Sequence, residues 1–152
     1  IGGPHILAEL KRIAPLSVVR GNNDQEAWAD AIPERLTLTF GGVTLHVMHD
    51  LKQLDIDPAA LGIDVVIAGH SHKPLHELRD GVLYLNPGSA GPRRFKLPIG
   101  VGILNNKHKA TGEVSQAAVD SMTTLNREAA RAALRRVRDD LTRPLTELGA
   151  TS

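Results

Sequence analysis

Val65-Val66-Ile67-Ala68-Gly69-His70-Ser71-His72-Lys73-Pro74 carries the main signal in this chain: a short apolar run that stops at a glycine and gives way to two histidines. The run reads as a buried strand that ends by Gly69. Side chains alternate along a strand, so His70 and His72, two apart, are expected on one side of the chain as it leaves a sheet. Imidazole is the commonest protein ligand for metals. Two converging rings can grip one ion, or one each of a pair about 3.5–4 Å apart. An isolated His-x-His is usually an ordinary loop, so its weight depends on what else reaches the same place.

The clearest local pattern lies just upstream. Leu36-Thr37-Leu38-Thr39-Phe40 and Val43-Thr44-Leu45-His46-Val47 alternate on either side of Gly41-Gly42, as a two-residue hairpin requires. Leu36, Leu38 and Phe40 are expected to share an apolar face with Val43, Leu45 and Val47. His46 falls on the other face, as a surface or second-layer histidine. The second strand then delivers Met48-His49-Asp50, where Asp50 either orients His49 or opens the following loop.

Two more strand ends follow the same logic. Leu16-Ser17-Val18-Val19 reads as a strand running into Gly21-Asn22-Asn23-Asp24, and Val82-Leu83-Tyr84-Leu85 as one running into Asn86-Pro87-Gly88-Ser89. Asn and Asp are also ordinary turn residues, so the first of these is a plain turn if taken alone. Before them, Pro4 suits a first helical position, Ile6, Leu7, Leu10, Ile13 and Ala14 form one apolar face, and Pro15 closes the helix. Residue 1 is Ile rather than Met, and further chain is expected before it. Pro98 to Leu104 and Glu113 to Val119 are expected to pair. Ala130, Leu134, Val137 and Leu141 step as one face of an amphipathic helix, with charged residues paired along its outside.

Composition narrows the chemistry. The chain has 152 residues, 41% apolar, with a net charge of +1, enough for one aliphatic core and without a broad attraction to nucleic acid or membrane. No run approaches the roughly 18 apolar residues of a membrane helix. Cysteine is absent, which fits a reducing, cytoplasmic setting and leaves only nitrogen and oxygen as metal ligands.

Taken in order, Gly-Asn-Asn-Asp at 21–24, His-Asp at 49–50, Gly-His-Ser-His at 69–72 and Asn-Pro-Gly-Ser at 86–89 make the sequence resemble the calcineurin-like metallophosphoesterase superfamily, in its small prokaryotic phosphodiesterase branch. The resemblance covers about residues 1 to 120. It implies an α/β fold of two packed β-sheets flanked by helices, a four-layer αββα sandwich whose N-terminal strands are missing here. Residues 1–120 would form the phosphoesterase domain and 121–152 an extra C-terminal helix and frayed tail.

The resemblance also implies a site. Asn22, His49 and His70 would bind one divalent ion and His72 a second. Asp24 and Asp50 would support these ligands from behind, and Gly21 and Asn23 would lie against the substrate phosphate. The two ions, Mn foremost with Ni, Fe, Zn or Mg as alternatives, would activate a hydroxide that attacks a phosphate-ester small molecule. The family's Asp-x-His and Gly-Asp motifs, which supply anionic ligands, are not in this sequence. Asn23 and Leu51 stand where many relatives carry histidine. This chain alone is therefore expected to be a weak or inactive phosphodiesterase, and the alternative is a catalytically silent sandwich that binds protein.

Overall fold

The computed structural model describes residues 1–90 and 96–104. Helix α1 spans Pro4–Lys11 with proline in its first turn, where the missing N–H costs nothing. The strands are β1 (Arg35–Phe40), β2 (Val43–Met48), β3 (Val65–Ile67), β4 (Leu75–Arg79) and β5 (Val82–Asn86). They form one sheet in the order β1-β2-β3-β5-β4. The fold is α/β, as expected. Of the two packed sheets expected, the described residues carry this one.

The hairpin forms in the register its pattern requires, with Phe40 opposite Val43, Leu38 opposite Leu45 and Leu36 opposite Val47. Gly41 and Gly42 have φ of 56° and 78°. Two consecutive left-handed residues suit the twist of a two-residue hairpin, and glycine takes both without strain. The apolar face is only half-covered, and Phe40 at its tip is 64% exposed.

The inner strands position the site. β2, β3 and β5 run parallel, so their C-terminal ends open on one edge of the sheet. β1 and β4 pair antiparallel on the outside. All five residues of β5 are buried, as for a strand covered on both faces. Ile63, Val66, Val82 and Tyr84 form the core on one face, with Leu51, Leu54, Ile56 and Leu75 packed on it. Val65, Leu83 and Leu85 form the other, with Val43, Leu45, Ile67 and Leu104. Leu83 is almost fully enclosed; truncating such a residue costs about 2–5 kcal/mol.

Two expectations need correction, on the Leu16 to Val19 strand and on the exposure of His46. Leu16 to Val19 joins no sheet among the described residues; this segment is tied instead by Arg20 N–H donating to the Pro33 carbonyl at 3.0 Å. Ile99 bridges to Ser89, while the pairing expected of Pro98 to Leu104 involves residues that lie outside those described. His46 is not on the surface: it is 5% exposed, because its face of the sheet carries the Val66–Tyr84 core. The strand at Glu113 to Val119, the amphipathic helix and the tail to residue 152 lie outside the described residues. Among the described residues no helix is long and apolar enough to cross a membrane.

Candidate metal centre

Parallel topology places the loop after β2, the loop after β3 and the end of β5 together, and the Gly21–Asp24 turn joins them. Three atoms meet there. His49 Nε2 lies 2.7 Å from Asn22 Oδ1, His70 Nδ1 lies 3.3 Å from the same oxygen, and the two ring nitrogens are 3.2 Å apart. The rings stand edge to face, 5.1 Å between centroids. Asn22 Nδ2 donates to Asn23 Oδ1 at 3.3 Å, which turns the amide oxygen toward the histidines.

This triangle fits a metal. Ligand bonds of about 2.0–2.2 Å separate neighbouring donor atoms by about 3 Å, the spacing seen here. All three corners offer lone pairs when the rings are neutral, and a cation between them satisfies all three at once. Among the described residues no group of three or more His, Cys, Asp or Glu is arranged for a metal; here the third corner is an amide oxygen.

Each corner is held by backbone. Asp24, 4% exposed, accepts from Gly21 N–H at 2.8 Å while its own N–H donates to the Gly21 carbonyl at 3.1 Å. That reciprocal clasp shapes the turn presenting Asn22. Asp24 also accepts from Gly2 N–H at 3.2 Å. Burial would raise its pKa, but these donors outweigh burial and lower it. Gly21 has its own reason to be glycine: a Cβ there would sit 2.9 Å from His49 Cε1 and 3.0 Å from Nδ1. The His49 carbonyl accepts from Gly69 N–H at 2.9 Å, joining the first two histidine loops.

Burial, then the neighbouring His70, push the His49 pKa down, against the pull of Asp50. The ring is thereby kept neutral, as a ligand must be. Asp50 opens the following loop, one of its two expected roles: its Oδ1 accepts from Lys52 N–H at 3.1 Å. Its Oδ2 lies 3.8 Å from His70 Nε2, beyond hydrogen-bond distance, so the carboxylate stands behind the ring nitrogen that faces away from the triangle.

The expected alternation of His70 and His72 along a strand is also corrected. β3 ends at Ile67, and both histidines have left-handed backbone, φ 59° and 57°. His70 joins the triangle. His72 forms no bond to it, and its Nδ1 is buried without a hydrogen-bond partner. The device that holds this unusual loop is Asn86, 3% exposed. Its Nδ2 donates to the Gly69 carbonyl at 2.7 Å and to Ser71 Oγ at 3.1 Å, and its Oδ1 accepts from Gly88 N–H at 2.9 Å. Sequence reading left Asn86 as part of a turn. Its position at a buried strand end, opposite a Gly-His-Ser-His loop, is the signal that marks it.

The calcineurin-like phosphoesterase superfamily domain matches residues 1–109. The chain belongs to this family. It is 32% identical over 131 residues to a probable metallophosphoesterase of Methanothermobacter thermautotrophicus, covering 81% of this chain and 75% of that protein. It is 33% identical over 106 residues to the probable metallophosphoesterase YsnB of Bacillus subtilis, covering 64% and 61%. Among solved structures it is similar to zinc-bound Vps29 from Entamoeba histolytica, with a TM-score of 0.50, 28% identity and coverage of 59% of this chain and 53% of that one. A single-mutant form of that Vps29 gives 0.53 and 27%, with coverage of 66% and 59%. The chain thus spans between about half and three quarters of these proteins. The family is one of divalent-metal phosphoesterases acting on phosphate esters.

Proposed function

We propose that the chain holds a divalent ion on Asn22, His49 and His70 and serves the hydrolysis of a phosphodiester. The Asn22–His49–His70 triangle is the observation that carries this. His72 takes a second ion; its buried, unpartnered Nδ1 supports that role. Mn is the foremost candidate, on the nitrogen and oxygen donor set. When bound, such a pair supplies positive charge to phosphate oxygens and lowers the pKa of water. The protein's own residues do the rest. The clasped turn at 21–24 aims the Asn22 oxygen, and burial keeps His49 neutral. Asp50 places a carboxylate behind His70, and Gly21 and Asn23 border the phosphate. The phosphoesterase domain is residues 1–120, with 121–152 outside it, acting in the cytoplasm.

No carboxylate among the described residues joins the triangle, since Asp24 is engaged behind the turn and Asp50 behind His70. Two adjacent dications then repel with little compensation, so this chain alone turns over slowly. The test is calorimetric titration with Mn²⁺ together with release of 4-nitrophenol from bis(4-nitrophenyl) phosphate. Expected are Mn²⁺ binding and slow, EDTA-sensitive hydrolysis, both lost in His49→Ala. Absence of Mn²⁺ binding, or hydrolysis indifferent to His49, overturns the reading.

A second reading, a silent protein-binding sandwich, is favoured by the likeness to Vps29, named for vacuolar protein sorting, and by exposed Phe40. Metal-dependent turnover excludes it.

A further inference from the structure

Two clefts meet at Asp50 and His70, and their charges differ. The first, about 220 Å³, is lined by Arg20, Glu34 and Arg35 beside the triangle. Its cations are already matched: Arg20 pairs with Glu34 at 2.6 Å, and Arg35 with Asp55. The second, about 600 Å³, lies on the other side of His70, with Leu51, Pro74 and Leu75 as apolar wall and Lys52 and Lys73 as its cations. Neither lysine has an ion-pair partner among the described residues, and Asp50 is the one carboxylate lining this cleft.

This second cleft is held in shape. Leu51 and Leu75 pack on the Val66–Tyr84 core. Lys52 N–H donates to Asp50, and Lys73 N–H donates to Ser71 Oγ at 3.3 Å, which Asn86 holds in turn. An apolar wall next to two lysines that outnumber the single carboxylate is complementary to an organic group that carries negative charge at its far end.

Resting on the phosphodiesterase reading, we infer that this cleft receives one ester arm of the substrate, and that this arm has an apolar body and a second anionic group. The phosphate sits at the triangle; the arm passes His70 along Leu51 and Leu75, and its anion lies between Lys52 and Lys73. The matched first cleft takes the other, uncharged arm.

The test compares two stable probes, phenylphosphonate and 4-phosphonobenzoate, which differ by one carboxylate. Each is titrated calorimetrically into the full Mn²⁺-loaded chain, then into a Lys52→Gln/Lys73→Gln double variant. Expected is about tenfold tighter binding of 4-phosphonobenzoate, the effect of one or two partly exposed ion pairs, shrinking with added salt. In the double variant the two probes bind alike, at the wild-type affinity for phenylphosphonate. Equal binding of both probes to the wild type, or a preference that survives in the variant, overturns the subsite and leaves the phosphoesterase reading standing. Binding of neither probe to a chain that binds Mn²⁺ removes both.

Discussion

His46 and His49 lie three residues apart on one run of chain, one inside β2 and one just past its end. In both, burial is the first cause of a lowered pKa, and both rings are held neutral. Their second contacts separate them. His46 Nδ1 lies 2.9 Å from Thr37 Oγ1 across the hairpin, and its Nε2 faces a dry interior with no partner. His49 Nε2 meets an amide oxygen and another imidazole nitrogen. A lowered pKa thus does not separate the proposed metal ligand from the core histidine; convergence of lone pairs from separate loops does.

The comparison breaks most sharply on the two rings. His49→Ala is expected to weaken Mn²⁺ binding by more than the roughly 10–100-fold that loss of an outer-shell partner brings. His46→Asn is expected to leave Mn²⁺ affinity within about twofold, because nothing ties that ring to the triangle; calorimetry on both variants checks this. Gly21→Ala sharpens the same contrast without touching a ligand. The new Cβ would enter the space of the His49 ring, so Mn²⁺ affinity falls by about 10–100-fold with the fold intact by circular dichroism.

Much of this arrangement was legible in the sequence, for physical reasons. The hairpin was readable because alternation and a Gly-Gly turn act locally. His49 and His70 could be collected because each follows a strand, and parallel strands that end on one edge bring their following residues together; Asn22 follows an apolar run too, but one that joins no sheet among the described residues. The backbone of His70 and His72 was not readable. The loop that carries them is tied to Asn86, which bonds to the Gly69 carbonyl from 17 positions away, and no local pattern carries that. A supporting place for Asp50 was readable, but not which ring it stands behind: its neighbour in sequence is His49, and its neighbour in space is His70.

Asn86→Ala tests that distant control. It leaves the Gly69 carbonyl and Gly88 N–H without their partner, a loss of about 1–3 kcal/mol for buried polar groups, read as a lower chemical-denaturation midpoint. Because the His70 loop is released as well, Mn²⁺ affinity falls too, whereas a purely structural asparagine would change stability alone.

The smallest expected effect belongs to His46 and concerns pH. Burial, then the nearby Arg35 charge, lower its pKa from 6.5, with Asp55 opposing. Protonation would put an N–H at Nε2, which is buried and has nothing to accept it. The folded chain therefore binds this proton less readily than the unfolded chain does. Stability is full above about pH 6.5 and falls as pH drops from there through the lowered folded value, since the unfolded state takes up the proton first. Between pH 7.5 and 5.5 the wild type is expected to lose stability through this group, since the unfolded chain gains the proton over that interval ahead of the folded one. His46→Asn removes the titration, so its midpoint, though lower at pH 7.5, changes less over that interval. The experiment is run in EDTA so that metal release from His49 does not contribute. An unchanged pH slope in His46→Asn would show that the buried imidazole is not what the two states disagree about.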